Sequence, residues 1–294
     1  MKAAVIAHSG KTLGAGLPEL RRRLEAAGLD ELIWREVPKS RKAPAQLRRV
    51  LESKPDIVFV WGGDGTVQRC VDVLAGTATP LAIIPAGTAN LLASNLGIPK
   101  DIEEAVAIGL RGEQRVLDVG RFNGERFAVM AGAGFDAAMI RDSGGLKDRI
   151  GRAAYIVSGS KQLRMKPFSA EITIDGACWF KGRASCVLVG NVGDLFAGVT
   201  AFEGAMPDDG LLEVAVVTAD GVAEWTRLIT RAATGTPTKS PFVRVTKARK
   251  IKADLGRKVL YELDGGDRAK VKKFKVRVEP GALTVCVPIR APER

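Results

Sequence analysis

The chain has 294 residues, 46% of them apolar, enough to bury roughly three quarters of the surface that the unfolded chain exposes, so a disordered chain is excluded. Forty-five Lys and Arg against 33 Asp and Glu leave a formal charge of +12, a surface that concentrates anions such as lipid headgroups, phosphorylated substrates or nucleic acid. Cys70, Cys178, Cys186 and Cys286 form no CxxC pair and His8 is the single histidine, so reduced thiols are expected rather than disulfides or a zinc site.

Lys2 to Ala7 reads as a buried strand, and Pro18 opens a helix whose Leu17, Leu20, Leu24 and Ala27 share one face until Gly28. A strand near Leu32–Val37, a helix over 44–53 and a strand Ile57–Trp61 follow. Then come a helix Thr66–Ala75, a strand Leu81–Ile84, a helix Thr88–Leu96 and a helix Ile102–Leu110. Unalternating apolar runs separated by helices imply a parallel sheet covered on both faces.

After about residue 111 strands with period-two alternation take over, at Val116–Val119, Phe127–Met130, Ala170–Ile174, Ser185–Gly190, Leu212–Val217, Phe242–Val245, Val259–Leu263 and Lys273–Val278. Helical insertions are expected around 146–163 and 222–233. The fold class is therefore α/β plus β, with an N-terminal α/β domain over 1–113 and a β-sandwich over 114–294, a return of the last eight or so residues to the first domain being left open. No apolar run approaches the roughly 20 residues that cross a bilayer, so a cytoplasmic protein with peripheral membrane contact is expected.

Chemistry concentrates in glycine loops. Gly62, Gly63, Asp64, Gly65 and Thr66 follow a buried strand and open a helix. Glycines let backbone N–H groups approach a phosphate, Thr66 offers a helix cap, the helix N-terminus adds partial positive charge, and Asp64 offers a carboxylate to Mg²⁺. A plain turn after a buried strand has the same pattern. Pro85-Ala86-Gly87-Thr88-Ala89-Asn90 repeats the arrangement, which brings both loops to the ligand-binding edge of a parallel sheet. His8-Ser9-Gly10-Lys11-Thr12 mimics the tail of a P-loop, but Val5 stands where that motif needs glycine; this loop is read as giving N–H groups and Ser9.

GGDGT at 62–66, PAGTANLLASNLGIP at 85–99, RVLDVGRFNGERFAVMAGAGFDAAM at 115–139 and DDGLLEVAVV at 208–217 together resemble the diacylglycerol kinase catalytic family, in its order and over essentially the whole chain. The resemblance implies a first domain like phosphofructokinase and NAD kinase, a C-terminal β-sandwich, and ATP with Mg²⁺ phosphorylating a lipid hydroxyl in a cleft. It assigns Ser9, Gly10, Gly62, Gly63, Asp64, Gly65, Thr66, Gly87, Thr88 and Asn90 to the nucleotide. Asp118 falls near the reacting hydroxyl, and Asp209 with the backbone carbonyls of Met206 and Leu211 falls on a structural magnesium site, beside the catalytic-side ion expected near Asp64. The segment 145–155 matches an element near the family's lipid entrance.

Two departures stand out: Gln68-Arg69 replace the usual Asn-Glu after GGDGT, and Gly266 stands where the family carries a basic glutamate. Asp264, Asp267 and Asp118 are the remaining candidates for a catalytic carboxylate. Alternating Lys273, Lys275 and Arg277, with Arg244, Lys247, Arg249, Lys250 and Lys252, form either a solvated face or a patch for anionic membrane. The expected partners are thus a lipid substrate at a membrane surface and no nucleic acid, with a homodimer left open.

Overall fold

The computed structural model describes residues 1–134, 167–196, 199–233 and 237–289, so the helix expected around 146–163 and the 145–155 element lie outside the described residues. The chain divides into two compact units, Met1–Val119 with the segment from Pro280 onward, and Gly120–Glu279.

The first unit is α/β. Strands β1 (Lys2–His8), β2 (Glu31–Val37), β3 (Ile57–Gly62) and β4 (Leu81–Pro85) lie parallel in the order β2-β1-β3-β4. The central β1, β3 and β4 are buried almost throughout, as strands covered on both faces must be. The helices are α1 (Leu17–Glu25), α2 (Ala43–Glu52), α3 (Asp64–Leu74), α4 (Leu91–Asn95) and α5 (Ile102–Arg111).

Helix α3 begins two residues earlier than expected, because the Thr66 and Val67 amides already donate to the Gly63 carbonyl. Helix α4 begins three residues later. Asn90 adopts a left-handed conformation (φ 53°) and its side chain occupies the polar groups of 85–87, so the loop cannot turn helical before Leu91.

β5 (Glu113–Phe122) carries the chain from the first unit into the second, which holds β6 (Glu125–Phe127), β7 (Met130–Ala133), β8 (Phe168–Ile174), β9 (Ala177–Ala184), β10 (Cys186–Gly190), β11 (Asp194–Phe196), β12 (Val199–Thr200) and β13 (Leu212–Val217). α6 (Gly221–Ala233), β14 (Val243–Ala248), β15 (Lys250–Leu263) and β16 (Gly266–Val287) complete it, and β16 returns the chain to the first unit, where Val285 lies opposite Leu81 of β4.

β15 belongs to two layers. Its first half pairs with β8 and its end with β7, the register breaking between Asp254 and Val259 around Gly256, which sits at φ 66°. The sheet folds over at this point and encloses Phe122, Phe127, Ile172, Val189, Val214, Leu263 and Phe274. Phe122 stacks between Tyr261 and Phe274 at 4.7 and 4.6 Å between ring centres. A β-sandwich results, with strand β9 absent from the sequence expectation and β15 and β16 far longer than expected.

Three hairpins turn on Asn123-Gly124, Asp175-Gly176 and Asp264-Gly265, both residues of each pair having positive φ. That geometry matches the twist of the strands it joins, which is why Asn-Gly and Asp-Gly recur there. Among the cysteines, Cys70, Cys186 and Cys286 are buried and Cys178 is exposed; burial pushes the Cys70 thiol up to about 12.

One glycine tests the packing of the first unit. Alanine normally favours a helix interior over glycine by about 1 kcal/mol, yet a Cβ at Gly109 of α5 would lie 2.3 Å from Phe59 Cε1 and 2.9 Å from Ala82 Cβ. Gly109→Ala is expected to destabilise by about 1–3 kcal/mol, seen as a lower urea midpoint with an unchanged slope. An equal or higher midpoint contradicts this packing.

Candidate active site

Three loops of the first unit converge at the ends of β1, β3 and β4. The Gly62–Thr66 and Ala86–Asn90 loops touch backbone to backbone: a Cβ on Gly87 would lie 2.4 Å from the Gly63 Cα, and one on Gly63 would lie 3.1 Å from the Gly87 Cα. Neither backbone can yield, so both positions require glycine. Lys11 reaches the same place, its Cε 3.9 Å from the position of a Gly63 Cβ.

Polar side chains fix this arrangement. The Asp64 carboxylate accepts the Asn90 N–H at 3.0 Å and the Leu91 N–H at 2.5 Å, which ties the first glycine loop to the second. Asn90 is buried; its Oδ1 accepts the Gly87 N–H at 2.9 Å, and its Nδ2 donates to the Gly87 and Pro85 carbonyls at 2.8 and 3.3 Å. Assigned to the nucleotide from sequence, Asn90 is here a staple inside its own loop. Thr66 does not cap α3 either: the N-cap is Gly63, and the buried Thr66 Oγ1 lies 2.9 Å from Ser40 Oγ.

The 8–11 loop also differs from its reading. The Ser9 N–H donates to the Val37 carbonyl, the Gly10 N–H to His8 Nδ1 and the Lys11 N–H to the His8 carbonyl, at 3.0, 3.1 and 3.0 Å. Its amides are committed, and what the loop offers an anion is the Lys11 side chain. Trp61 Nε1 donates to the Lys11 carbonyl at 3.2 Å and fixes the loop against β3. Lys11, Ser40 and Trp61 are thus site residues that sequence reasoning did not assign; the P-loop-like Gly10-Lys11 pair and the position of Trp61 directly before GGDGT were the available signals.

Space opens at Gly65. A Cβ there meets nothing within 4 Å, and α3 starts with no side-chain cap; with the Thr66 and Val67 amides given to the Gly63 carbonyl, the Asp64 and Gly65 amides are the ones this start offers. A helix start of this kind attracts phosphate. Thr88, on the second loop, is exposed, and its carbonyl accepts Lys100 Nζ at 3.2 Å.

The other expected site residues lie outside these three loops. Asp118 is buried in β5, its Oδ1 accepting the Gly281 N–H at 2.8 Å within the first unit. Asp264, in the second unit, accepts three amides, from Ala128, Val129 and Met130, at 2.8–2.9 Å. Its carboxylate is a clamp on the segment entering β7. Asp267 is exposed on β16. Asp209 accepts the Leu211 N–H at 3.0 Å and pairs with Lys247 Nζ at 2.8 Å, and that ammonium also reaches Glu213 at 3.2 Å. The Asp209 hydrogen bond, with Glu213 adding to it, raises the Lys247 pKa above its ordinary value.

The sequence matches the model of the diacylglycerol kinase catalytic domain over residues 2–122 and that of the YegS C-terminal NAD kinase beta sandwich-like domain over 129–287. A diacylglycerol kinase of Bacillus subtilis (strain 168) is 33% identical over 219 residues, 71% of this chain and 71% of its own length. The chain belongs to the diacylglycerol kinase catalytic family. A diacylglycerol kinase of Staphylococcus saprophyticus is 30% identical over 266 residues, 87% of this chain and 85% of its own. In fold, the chain resembles a diacylglycerol kinase from Bacillus anthracis str. Sterne with a TM-score of 0.74 at 23% identity, over 97% of this chain and 96% of that one. An NAD kinase from Archaeoglobus fulgidus, solved in complex with ATP, gives 0.53 at 13% identity, over 97% and 93%.

Family membership makes this chain's departures specific. Gln68 is buried on the inner side of α3, while Arg69 is half-buried and four residues beyond Gly65, on the same helical face. A helical side chain leans toward the preceding turn, so Arg69 brings positive charge toward the open space at Gly65. A Cβ at Gly266 would lie 2.8 Å from Arg268 Nη1, and Arg268 is itself bound to Glu125, so an arginine neighbours the place of the family's glutamate.

Magnesium fits the two carboxylates differently. Mg²⁺ takes one or two carboxylates and completes its shell with phosphates and water; each Asp64 oxygen keeps a lone pair for such a contact. At Asp209 the Lys247 ammonium, 2.8 Å from one carboxylate oxygen, puts a positive charge where the cation would sit and disfavours it.

Two substitutions separate support from binding. Gly87→Ala is expected to lower stability by 2 kcal/mol or so, since its Cβ meets backbone. Gly65→Ala is expected to keep or raise the melting temperature, as alanine favours a helix, while weakening ATP binding at least tenfold in calorimetry. Equal ATP affinity in Gly65→Ala contradicts a phosphate at that place.

Proposed function

We propose that the chain is an ATP-dependent kinase that phosphorylates a hydroxyl of diacylglycerol or a similar lipid. The observation carrying this reading is the pair of interlocked glycine loops, with open space and an uncapped helix start at Gly65. The nucleotide phosphates lie against the Asp64 and Gly65 amides at the start of α3, with the Lys11 and Arg69 charges beside them and Thr88 exposed on the second loop. Asp64 would hold Mg²⁺, which would neutralise phosphate charge there.

In the transfer, the acceptor oxygen bonds to the γ-phosphorus, the bond from that phosphorus to the bridging oxygen of ADP breaks, and the hydroxyl proton passes to a carboxylate. Asp118 is the carboxylate we assign: it belongs to the same unit as the glycine loops, whereas Asp264 is spent on three amides and Asp267 is exposed. A positioned base contributes a factor of roughly 10² to 10⁴; positioning and charge carry most of a phosphoryl transfer. The lipid acceptor requires contact with a bilayer from the aqueous side. Among the described residues no helix is long and apolar enough to cross a membrane.

Gly266 favours a second reading, a nucleotide- and lipid-binding relative of low turnover or one that acts on a different hydroxyl compound. Purified chain with labelled ATP, Mg²⁺ and mixed micelles of diacylglycerol, monoacylglycerol, ceramide or sphingosine is expected to label diacylglycerol. No label in any lipid, at concentrations where ATP binds, overturns the kinase reading. A large gain in turnover for Gly266→Glu supports the second reading, and a loss supports the first. Arg69→Ala is expected to weaken ATP binding about tenfold, the worth of a charge-assisted hydrogen bond, with turnover retained at saturating ATP; unchanged affinity removes Arg69 from the site.

A further inference from the structure

The outer face of the β9-β8-β15-β16 layer in the second unit is basic. Along β15 and β16, Ile251, Ala253, Phe274 and Val276 point into the core, which turns Lys250, Lys252 and Asp254, with Lys273, Lys275 and Arg277, to the solvent side. Strand register places Lys252 directly opposite Lys275 and Lys250 opposite Arg277. Like charges in facing positions destabilise a sheet, so the fold retains an arrangement that works against its own stability.

A hollow of about 1050 Å³ lies on this face, lined by Lys181, Arg183, Lys252, Lys272, Lys273 and Lys275 and by only two acidic residues. Those two are already matched. Glu171 pairs with Lys181 at 3.0 Å and Asp254 with Lys273 at 2.8 Å. No salt bridge holds Arg183, Lys252 or Lys275 among the described residues. Successive same-face residues are about 6.7 Å apart along a strand and about 4.8 Å apart across strands, so these cations form a fixed grid on paired backbone.

We infer that this hollow and its rim are a docking surface for the phosphate headgroups of an anionic bilayer. The occupant rests on the lipid-kinase reading, which brings the chain to a membrane. Chemistry on the surface agrees: the large apolar side chains exposed among the described residues, Met1, Val116, Met206, Leu260 and Ile289, include no aromatic ring on which a base would stack. The cations act through charge, and their effect falls off within a Debye length.

The test is co-sedimentation of the full chain with vesicles of phosphatidylcholine alone or mixed with phosphatidylglycerol, without ATP. Binding is expected only to the mixed vesicles, and is expected to disappear in 1 M salt. The double variant Lys252→Glu, Lys275→Glu is expected to bind at least 25-fold more weakly, at about fivefold per cation. Its melting temperature is expected not to fall, since the facing like charges are only exchanged in sign. Lipid phosphorylation in neutral detergent micelles is expected to match the parent. Equal vesicle binding by the variant, binding to neutral vesicles, or displacement from the vesicles by a DNA duplex overturns the surface. Vesicle binding as expected with no lipid phosphorylated contradicts the kinase reading instead and leaves the surface standing.

Discussion

The candidate site depends on one close approach, the Gly63 and Gly87 backbones in contact with no side chain between them. From that contact the rest follows in order. Asp64 can reach the Asn90 and Leu91 amides only because the loops are this near, and Asn90 can hold its left-handed conformation only because its side chain satisfies the loop. The result is a rigid rim around α3, whose start is left without a cap. Preorganised amides of this kind bind an anion without the cost of ordering a loop first.

The second unit is built on a different constraint, the tight Asp-Gly and Asn-Gly turns that set the register of its long hairpins. Asp264 serves two ends there. It occupies the first turn position between β15 and β16, and its carboxylate gathers the amides of Ala128, Val129 and Met130. Three amide contacts commit that carboxylate to the fold, whereas Asp118 lies in the same unit as the glycine loops. The same hairpin register lays out the basic face, because alternation fixes which lysines leave the core and pairing fixes which lysines face each other.

The parallel sheet and its glycine loops were legible because buried parallel strands read as unbroken apolar runs and because glycine marks places where backbone must pass closely. What each polar residue does was not legible. Gly10 looked like a donor until His8 took its N–H, and Thr66 looked like a cap until Ser40, 26 residues earlier, took its hydroxyl. Such partners come from tertiary approach, and no local pattern announces them. Strand β9, residues 250–258 of β15 and 266–272 of β16 fall outside the expected strands because lysine has low strand propensity; the sandwich core, through Ile251 and Ala253 of β15, overrides it. Asp264-Gly265 also forms a hairpin turn, a role that its motif does not announce.

The account turns on a phosphate chain lying across the three loops of the first unit. Backbone amide shifts measured by NMR during titration with a non-hydrolysable ATP analogue and Mg²⁺ address this directly. The predicted result is that Lys11, Gly63 to Thr66 and Gly87 to Thr88 move together along one binding curve, while the basic face of β15 and β16 stays still. Movement confined to the basic face, or none at the glycine loops under saturating analogue, would contradict it.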